Sequence, residues 1–446
     1  MSTKKLSNNI VNYSELIAFF LPIALSMMIM MSTHSVISSA LARTADAAIA
    51  IAAYSVAKSI SNMFQSPCIT LRRLCVARFK SKESFNKVLK LTAITLGVSL
   101  VAMGTIVFTP LSRIVFLNMI GVSEELLPHT IRAITILFFM PLLAAVRSIY
   151  QGAITVSRKT YLLTIATAVR AGVMFLLAAI ITNTQFITGS IIGSVLMVSG
   201  IGAEALFAFI FGRKYSKQLP ETSPDGDELS FAGVWMFFIP LVVAQFAMTW
   251  GQPSVNAGLA RTVNPEISLA AYQVGRSFAW IFIGMFGRVH QLILVFAKNK
   301  ESWFRVRKFA FVLGISQALV LMTVAVTPIG EWVLSNIIGV EQELMVMAMG
   351  TIFALSFVPF ILSQTETYAG LLIKNNKTPI ITLSKLCNVG TLIATVFVLQ
   401  SIAPQLGASI GGWASVTGYS VELLILYGFS RKVENQFINK SQKQVA

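Results

Sequence analysis

The sequence predicts an all-α polytopic membrane protein with about 12 transmembrane helices in two parallel six-helix lobes. Three observations predict it. Of 446 residues, 55% are hydrophobic and 12% charged, whereas a soluble domain carries roughly 25% charged residues. The basic residues crowd one side of the expected spans, and the second half of the chain repeats the first at a constant offset of 218 residues. A mean hydropathy of +0.74 agrees. These values exclude a disordered chain, a soluble enzyme and a nucleic-acid-binding domain, despite the formal charge of +17.

A spanning helix needs about 20 apolar residues. Apolar segments with polar punctuation fall near 16–42, 47–71, 88–109, 127–154, 161–182, 187–211, 231–260, 265–297, 308–327, 343–372, 378–400 and 406–430. The first follows Lys4 and Lys5 and has no small-residue cleavage site, so it reads as a retained helix rather than a signal peptide. Two segments exceed a perpendicular span, which tilt or a kink at Pro67 accommodates. Segments 111–122 and 329–340 mix apolar and polar residues and each closes on a Gly, as short interfacial helices would. The polar stretch 212–230 holds Pro220, Pro224 and an Asp-Gly turn, and reads as a linker. The resulting division is a lobe at 1–211, the linker, a second lobe at 231–430 and a tail at 431–446.

With the N-terminus inside, 25 of the 35 Lys and Arg residues fall on the inner side and 4 on the outer, with six inside spans. This bias places both termini and the linker in the cytoplasm and implies a multi-pass protein of the plasma (cell inner) membrane. It also accounts for the net charge, which favours anionic lipid headgroups and not nucleic acid. Cys68, Cys75 and Cys387 form no metal-ligand spacing and no disulfide framework. Three histidines and no HExxH leave little from which to build a metal site, and neither a metal nor a cofactor is expected.

The repeat is carried by matched Pro, Gly and charged residues. Phe19-Phe20-Leu21-Pro22 aligns with Phe237-Phe238-Ile239-Pro240, Leu41-Ala42-Arg43-Thr44 with Leu259-Ala260-Arg261-Thr262, and Pro141, Gly152 and Glu204 with Pro359, Gly370 and Glu422. Six helices return the chain to the same side, so both lobes share one orientation, related by a pseudo-two-fold axis along the membrane normal. Two such lobes with a cleft between them suit alternating access.

This organisation resembles the MATE fold of the multidrug, oligosaccharidyl-lipid and polysaccharide exporter superfamily, and within it the progressive ankylosis protein family. The residues that carry the resemblance are the Phe-Phe-Leu-Pro start, Ala53-Tyr54-Ser55-Val56-Ala57, Trp332-Val333-Leu334-Ser335-Asn336-Ile337-Ile338-Gly339-Val340 and Phe353-Ala354-Leu355-Ser356-Phe357-Val358-Pro359. Their order and spacing, over about 15–430, carry more than any single motif. The resemblance implies export of small organic or phosphate-bearing anions such as citrate, pyrophosphate or nucleotides. It also implies that the first, second, seventh and eighth helices line the central cleft. One departure stands out. Prokaryotic cation-exporting MATE proteins usually carry an acidic residue in the outer half of the first helix. Residues 27–42 contain no carboxylate, and His34 is their only ionisable group.

Charges inside spans cost at least ~2.5–3.5 kcal/mol near a helix centre and need a partner, water or a function. The basic ones are Lys58, Arg147, Arg170, Arg276, Arg288 and Lys385, against Glu204, Glu366 and Glu422. Lys58 and Arg276 are repeat equivalents, with Tyr54 and Tyr272 four residues earlier on the same helical faces. Set in the cleft that the resemblance implies, they would bind an anion, Arg through a bidentate fork and Lys as a point charge. The plainer reading is that each satisfies helix carbonyls or a nearby acid. His34 and its equivalent Gln252 read either as packing residues or as cleft-lining donors. Arg288 and His290 read as snorkelling residues near a span end. Glu204 pairs with Arg170 and Glu422 with Lys385, as braces within each lobe or as coupling carboxylates. Arg147 has Thr365 as its equivalent, beside Glu366, so the lobes differ in what they would bind.

The expected function is a monomeric secondary transporter of small anions, with membrane lipids and a small-molecule anion as partners. A proton- or sodium-coupled cationic drug exporter and a flippase for an anionic lipid-linked saccharide are the alternatives. The coupling ion stays open between proton and sodium.

Overall fold

The computed structural model describes residues 11–78, 81–157, 159, 161–184, 189–221, 230–375 and 377–443. No strand occurs among them. The first half holds α1 (Tyr13–Ala42), α2 (Ala47–Arg78), α3 (Lys82–Phe108), α4 (Leu111–Arg113) with a π-helical turn Ile114–Ile120, α5 (Leu126–Leu137), α6 (Met140–Val156), α7 (Tyr161–Thr184) and α8 (Ile191–Ser216). The second half holds α9 (Phe231–Thr249), α10 (Gly251–Leu259), α11 (Pro265–Ile283), a 3-10 turn Gly284–Arg288, α12 (Val289–Phe296), α13 (Lys300–Val326) and α14 (Pro328–Trp332). A π-helical turn Val333–Ile338, α15 (Gln342–Leu355), α16 (Val358–Lys374), α17 (Thr378–Ile402), a 3-10 turn Pro404–Leu406 and α18 (Ser409–Lys443) complete it.

Three helix breaks fall four residues before a proline. Proline has no N–H and frees the carbonyl four residues back. Pro141 frees the Leu137 carbonyl, and α5 ends there. Ser61 of α2 donates its hydroxyl to that carbonyl at 3.5 Å. Pro359 does the same at Leu355, where α15 ends. The seventh span breaks between α9 and α10, four residues before Pro253, whereas its equivalent α1 has Ser35 there and runs unbroken. No break occurs at Pro67: α2 continues through it, and the Ser66 hydroxyl donates to the Met63 carbonyl that the proline leaves free.

Eleven helical segments among the described residues are long and apolar enough to cross a membrane. The twelfth expected span lies in α18, which is helical throughout but interrupted by Ser415, Thr417, Ser420 and Glu422. Two boundaries shift. The sequence places the end of the first lobe at 211, but α8 runs to Ser216, and the expected tail continues α18 as far as Lys443. Residues 222–229 of the expected linker lie outside the described residues, as do 1–10.

The halves meet through α11, which packs on both α1 and α2, and through α9 on α2. Ser55 donates to the Gln273 side-chain oxygen at 3.4 Å. These residues are repeat equivalents, and a residue touches its own equivalent only where an axis relates the halves. The first described residues and the end of α18 lie on one face: Arg305 donates to the Val11 carbonyl at 3.1 Å and Arg307 pairs with Glu434 at 3.2 Å. On the opposite face, the interfacial segments end on Gly121 at φ 88° and Gly339 at φ 84°, a region that suits glycine.

Candidate functional site

The site begins with one buried carboxylate. Glu204 of α8 accepts from Gln151 at 2.8 Å and from Arg147 at 3.0 Å, both on α6, with the Arg170 guanidinium of α7 at 3.6 Å. Arg147 and Gln151 are four apart and share one helical face. The Gln151 amide oxygen in turn accepts from Arg72 of α2 at 3.1 Å. A cavity of about 370 Å³ opens over this chain, lined by Arg72, Arg147, Arg170 and, from the second half, Arg288. Among the described residues Glu204 is the only acid in its wall. The Arg170 Nε is buried with no partner, a donor left open for a ligand or for water.

Toward the axis, the Lys58 ammonium lies 3.1 Å from His34 Nδ1 and 5.5 Å from the centre of the Tyr54 ring. Arg170 and Arg276 are both electrostatic neighbours of Lys58. Among the described residues, neither Lys58 nor Arg276 is part of the wall of the first-half cavity. Arg276 lies over Trp280 at 5.6 Å and, with Tyr272 and Gln252, lines a second cavity of about 260 Å³. Gln252 donates to Asn256 at 3.4 Å.

The second half pairs its buried carboxylates. Lys385 of α17 lies 3.2 Å from Glu422 and 4.0 Å from Glu366, and His290 Nδ1 lies 2.7 Å from Glu366. Asn388 donates to Glu422 at 2.6 Å. Asn388 is the repeat equivalent of Arg170, and Thr365 of Arg147, so two cations of the first half are neutral in the second.

The structure brings together the expected pairs Arg170–Glu204 and Lys385–Glu422 and adds Arg147 as a closer partner of Glu204. Tyr54 and Tyr272 are buried, 0% and 2% exposed, and Tyr272 reaches the wall of the second cavity. Their rings lie against Gly193 and Gly411, themselves repeat equivalents. Arg288 and His290 do not simply snorkel: one lines the first cavity and the other pairs with Glu366. Arg72, Gln151 and Asn388 escape a reading of the sequence. Arg72 sits in a basic run counted toward orientation, and amides leave no charge signal. Comparing Arg170 with its equivalent Asn388 is the available clue.

Solved structures superpose on nearly the whole chain. An inward-facing multidrug-resistance MATE transporter of the MOP superfamily gives a TM-score of 0.73 at 12% identity, covering 94% of this chain and 99% of that one. The lipid II flippase MurJ, in an inward closed conformation, gives 0.63 at 11% identity over 95% and 91%. A MOP-superfamily transporter from Pyrococcus furiosus, described for the reverse polarity of its binding pocket, gives 0.57 at 12% identity over 98% and 99%. The broken and continuous spans and the two halves give this chain the fold shared by these MATE and MurJ membrane proteins. The sequence carries the assignment one level further. The profile of the progressive ankylosis protein (ANKH) matches residues 4–233 and 227–410, and the chain belongs to that family.

Proposed function

We propose that this protein exports small organic or phosphate-bearing anions, of the citrate, pyrophosphate or nucleotide class, by alternating access between its two halves. One observation carries the reading: four arginines face a single carboxylate across the first-half cavity. Arginine forks match carboxylate and phosphate oxygens bidentately. In a low-dielectric setting a cation would meet repulsion there and an anion would offset the cost of the buried guanidinium groups. The basic face, with the first described residues and the end of α18, is taken as cytoplasmic and the membrane as the plasma membrane.

A second reading, flipping of an anionic lipid-linked saccharide, is favoured by Ile29 and Ile69, which are exposed and line the same cavity. They offer apolar surface beside the cations. The test is flux in reconstituted vesicles with citrate, pyrophosphate, ATP and a cationic dye, beside a flipping assay on a fluorescent lipid-linked phosphosugar. Uptake of at least one soluble anion is expected. Movement of the dye against a proton or sodium gradient, with every anion ignored, overturns the reading in favour of a cationic drug exporter.

A further inference from the structure

The face opposite the first described residues and the end of α18 carries few cations, and their uses differ. Arg113 pairs with Glu124 at 2.8 Å. Arg261, at the end of α10, crosses to the first half and donates to the carbonyls of Ile120 at 2.8 Å and Met119 at 3.1 Å. These are the last carbonyls of a π-helical turn, which have no partner within the helix. Arg43, its repeat equivalent at the end of α1, crosses the other way and donates to the Ile337 carbonyl at 3.2 Å, beside the Ser39 hydroxyl, which reaches the same oxygen at 3.3 Å. The halves are thus tied on this face by two arginines 218 residues apart, each on the carbonyl end of the other half's π-helical turn.

The two ties are unequal. Arg261 holds two carbonyls across the interface and Arg43 holds one. Arg43 also lines a cavity of about 600 Å³, together with Arg132 and His129 of α5. Among the described residues the Arg132 guanidinium and the His129 ring have no hydrogen-bond or ion-pair partner, and Asp46 is the only acid in the wall. Within its own helix Arg43 also donates to the Ser39 carbonyl at 3.1 Å and to the Ser39 hydroxyl. The two arginines of this face that are neither paired with an acid nor spent on two carbonyls of the other half therefore line one space.

We propose that this cavity is an anion-binding site for a phosphate or carboxylate group, held by Arg43, Arg132 and His129, and that its occupancy draws Arg43 off the Ile337 carbonyl and loosens this face. A charged oxyanion is a stronger acceptor than a carbonyl, and coupling follows because the anion favours the state in which Arg43 is released. The proposal stands whether or not anions are the transported species.

The test reads opening, not flux. Full-length protein carrying Cys387→Ser and Ser38→Cys is placed in phosphatidylcholine nanodiscs. Native Cys68 and Cys75 are buried. Ser38 is buried between the halves, its hydroxyl 3.0 Å from that of Ser277, so maleimide labelling of the thiol introduced there reports separation. Millimolar inorganic phosphate at constant ionic strength should raise the labelling rate by at least about 5-fold, the low end of allosteric coupling. The same rise is expected with Arg147→Gln, which alters the other cavity, and no rise with Arg132→Gln, which leaves both ties intact. Arg43→Gln should label fast with or without phosphate. If nanodiscs containing phosphatidylglycerol raise labelling without added phosphate, and Arg132→Gln abolishes that rise, the occupant is a lipid headgroup and the site stands. A rate indifferent to both phosphate and phosphatidylglycerol, or an equal rise in Arg132→Gln, overturns the proposal.

Discussion

At the scale of single residues, the chemistry turns on Glu204. Its side chain is 7% exposed, and it is shared by Arg147, Arg170 and Gln151. Removing one partner of a buried ion pair leaves an uncompensated charge, which in soluble proteins costs ~3–5 kcal/mol. Glu204→Gln should therefore lower the thermal unfolding midpoint in detergent, and an unchanged midpoint would mark a free carboxylate. Arg147→Gln differs, because Arg170 keeps the carboxylate company. It should leave the fold intact and weaken anion binding by about 10-fold, the equivalent of one charge-assisted hydrogen bond, as read by concentration-dependent uptake. Lys58→Ala and Arg276→Ala should each nearly abolish uptake while leaving the protein folded, with Arg276→Lys restoring only part, since the planar fork is lost. Wild-type rates in both alanine variants would remove these cations from the path.

At the scale of elements, two glycines let helices approach where a larger residue would hold them apart. A Cβ on Gly193 would lie 2.7 Å from the Tyr54 ring, and one on Gly411 would lie 2.4 Å from the Tyr272 ring. Those contacts join α8 to α2 and α18 to α11, the helices that carry Lys58 and Arg276. Overpacking of this kind typically costs about 1–3 kcal/mol. Gly193→Ala and Gly411→Ala should each lower thermal stability, and their effects should add, because the sites share no partner. Equal stability of the double variant and the parent would show that the rings can step aside.

At the scale of the whole molecule, the two halves share a plan and differ in charge. The first half leaves a cationic cavity around one carboxylate. The second pairs its carboxylates with Lys385, His290 and Asn388. Position 170 against 388 and position 147 against 365 decide the difference. The basic bias predicts that the face bearing the first described residues and the end of α18 is cytoplasmic. Tags at both termini should be reached by antibody only after the cells are permeabilised, and labelling of either tag in intact cells would invert the orientation and with it the direction of the proposed transport.

The sequence by itself determined the membrane class, the helical fold, the 218-residue repeat and the family resemblance. Each depends on composition, on apolar run length or on residue order, and all of these survive without coordinates. It also identified Lys58, Arg276, Arg170 and Glu204, because a charge inside an apolar run is visible as an interruption. Tertiary structure decided what those charges face. Arg147 stands nearer Glu204 than Arg170 does, because α6 and α7 both pack on α8 and packing distances are not written in spacing. Arg72 and Arg288 joined the cavity only when helices distant in the chain were brought together. The crossing of Arg43 and Arg261 onto opposite halves likewise lay beyond reach. Each arginine is unremarkable in its own segment and acquires its partner only where the halves meet.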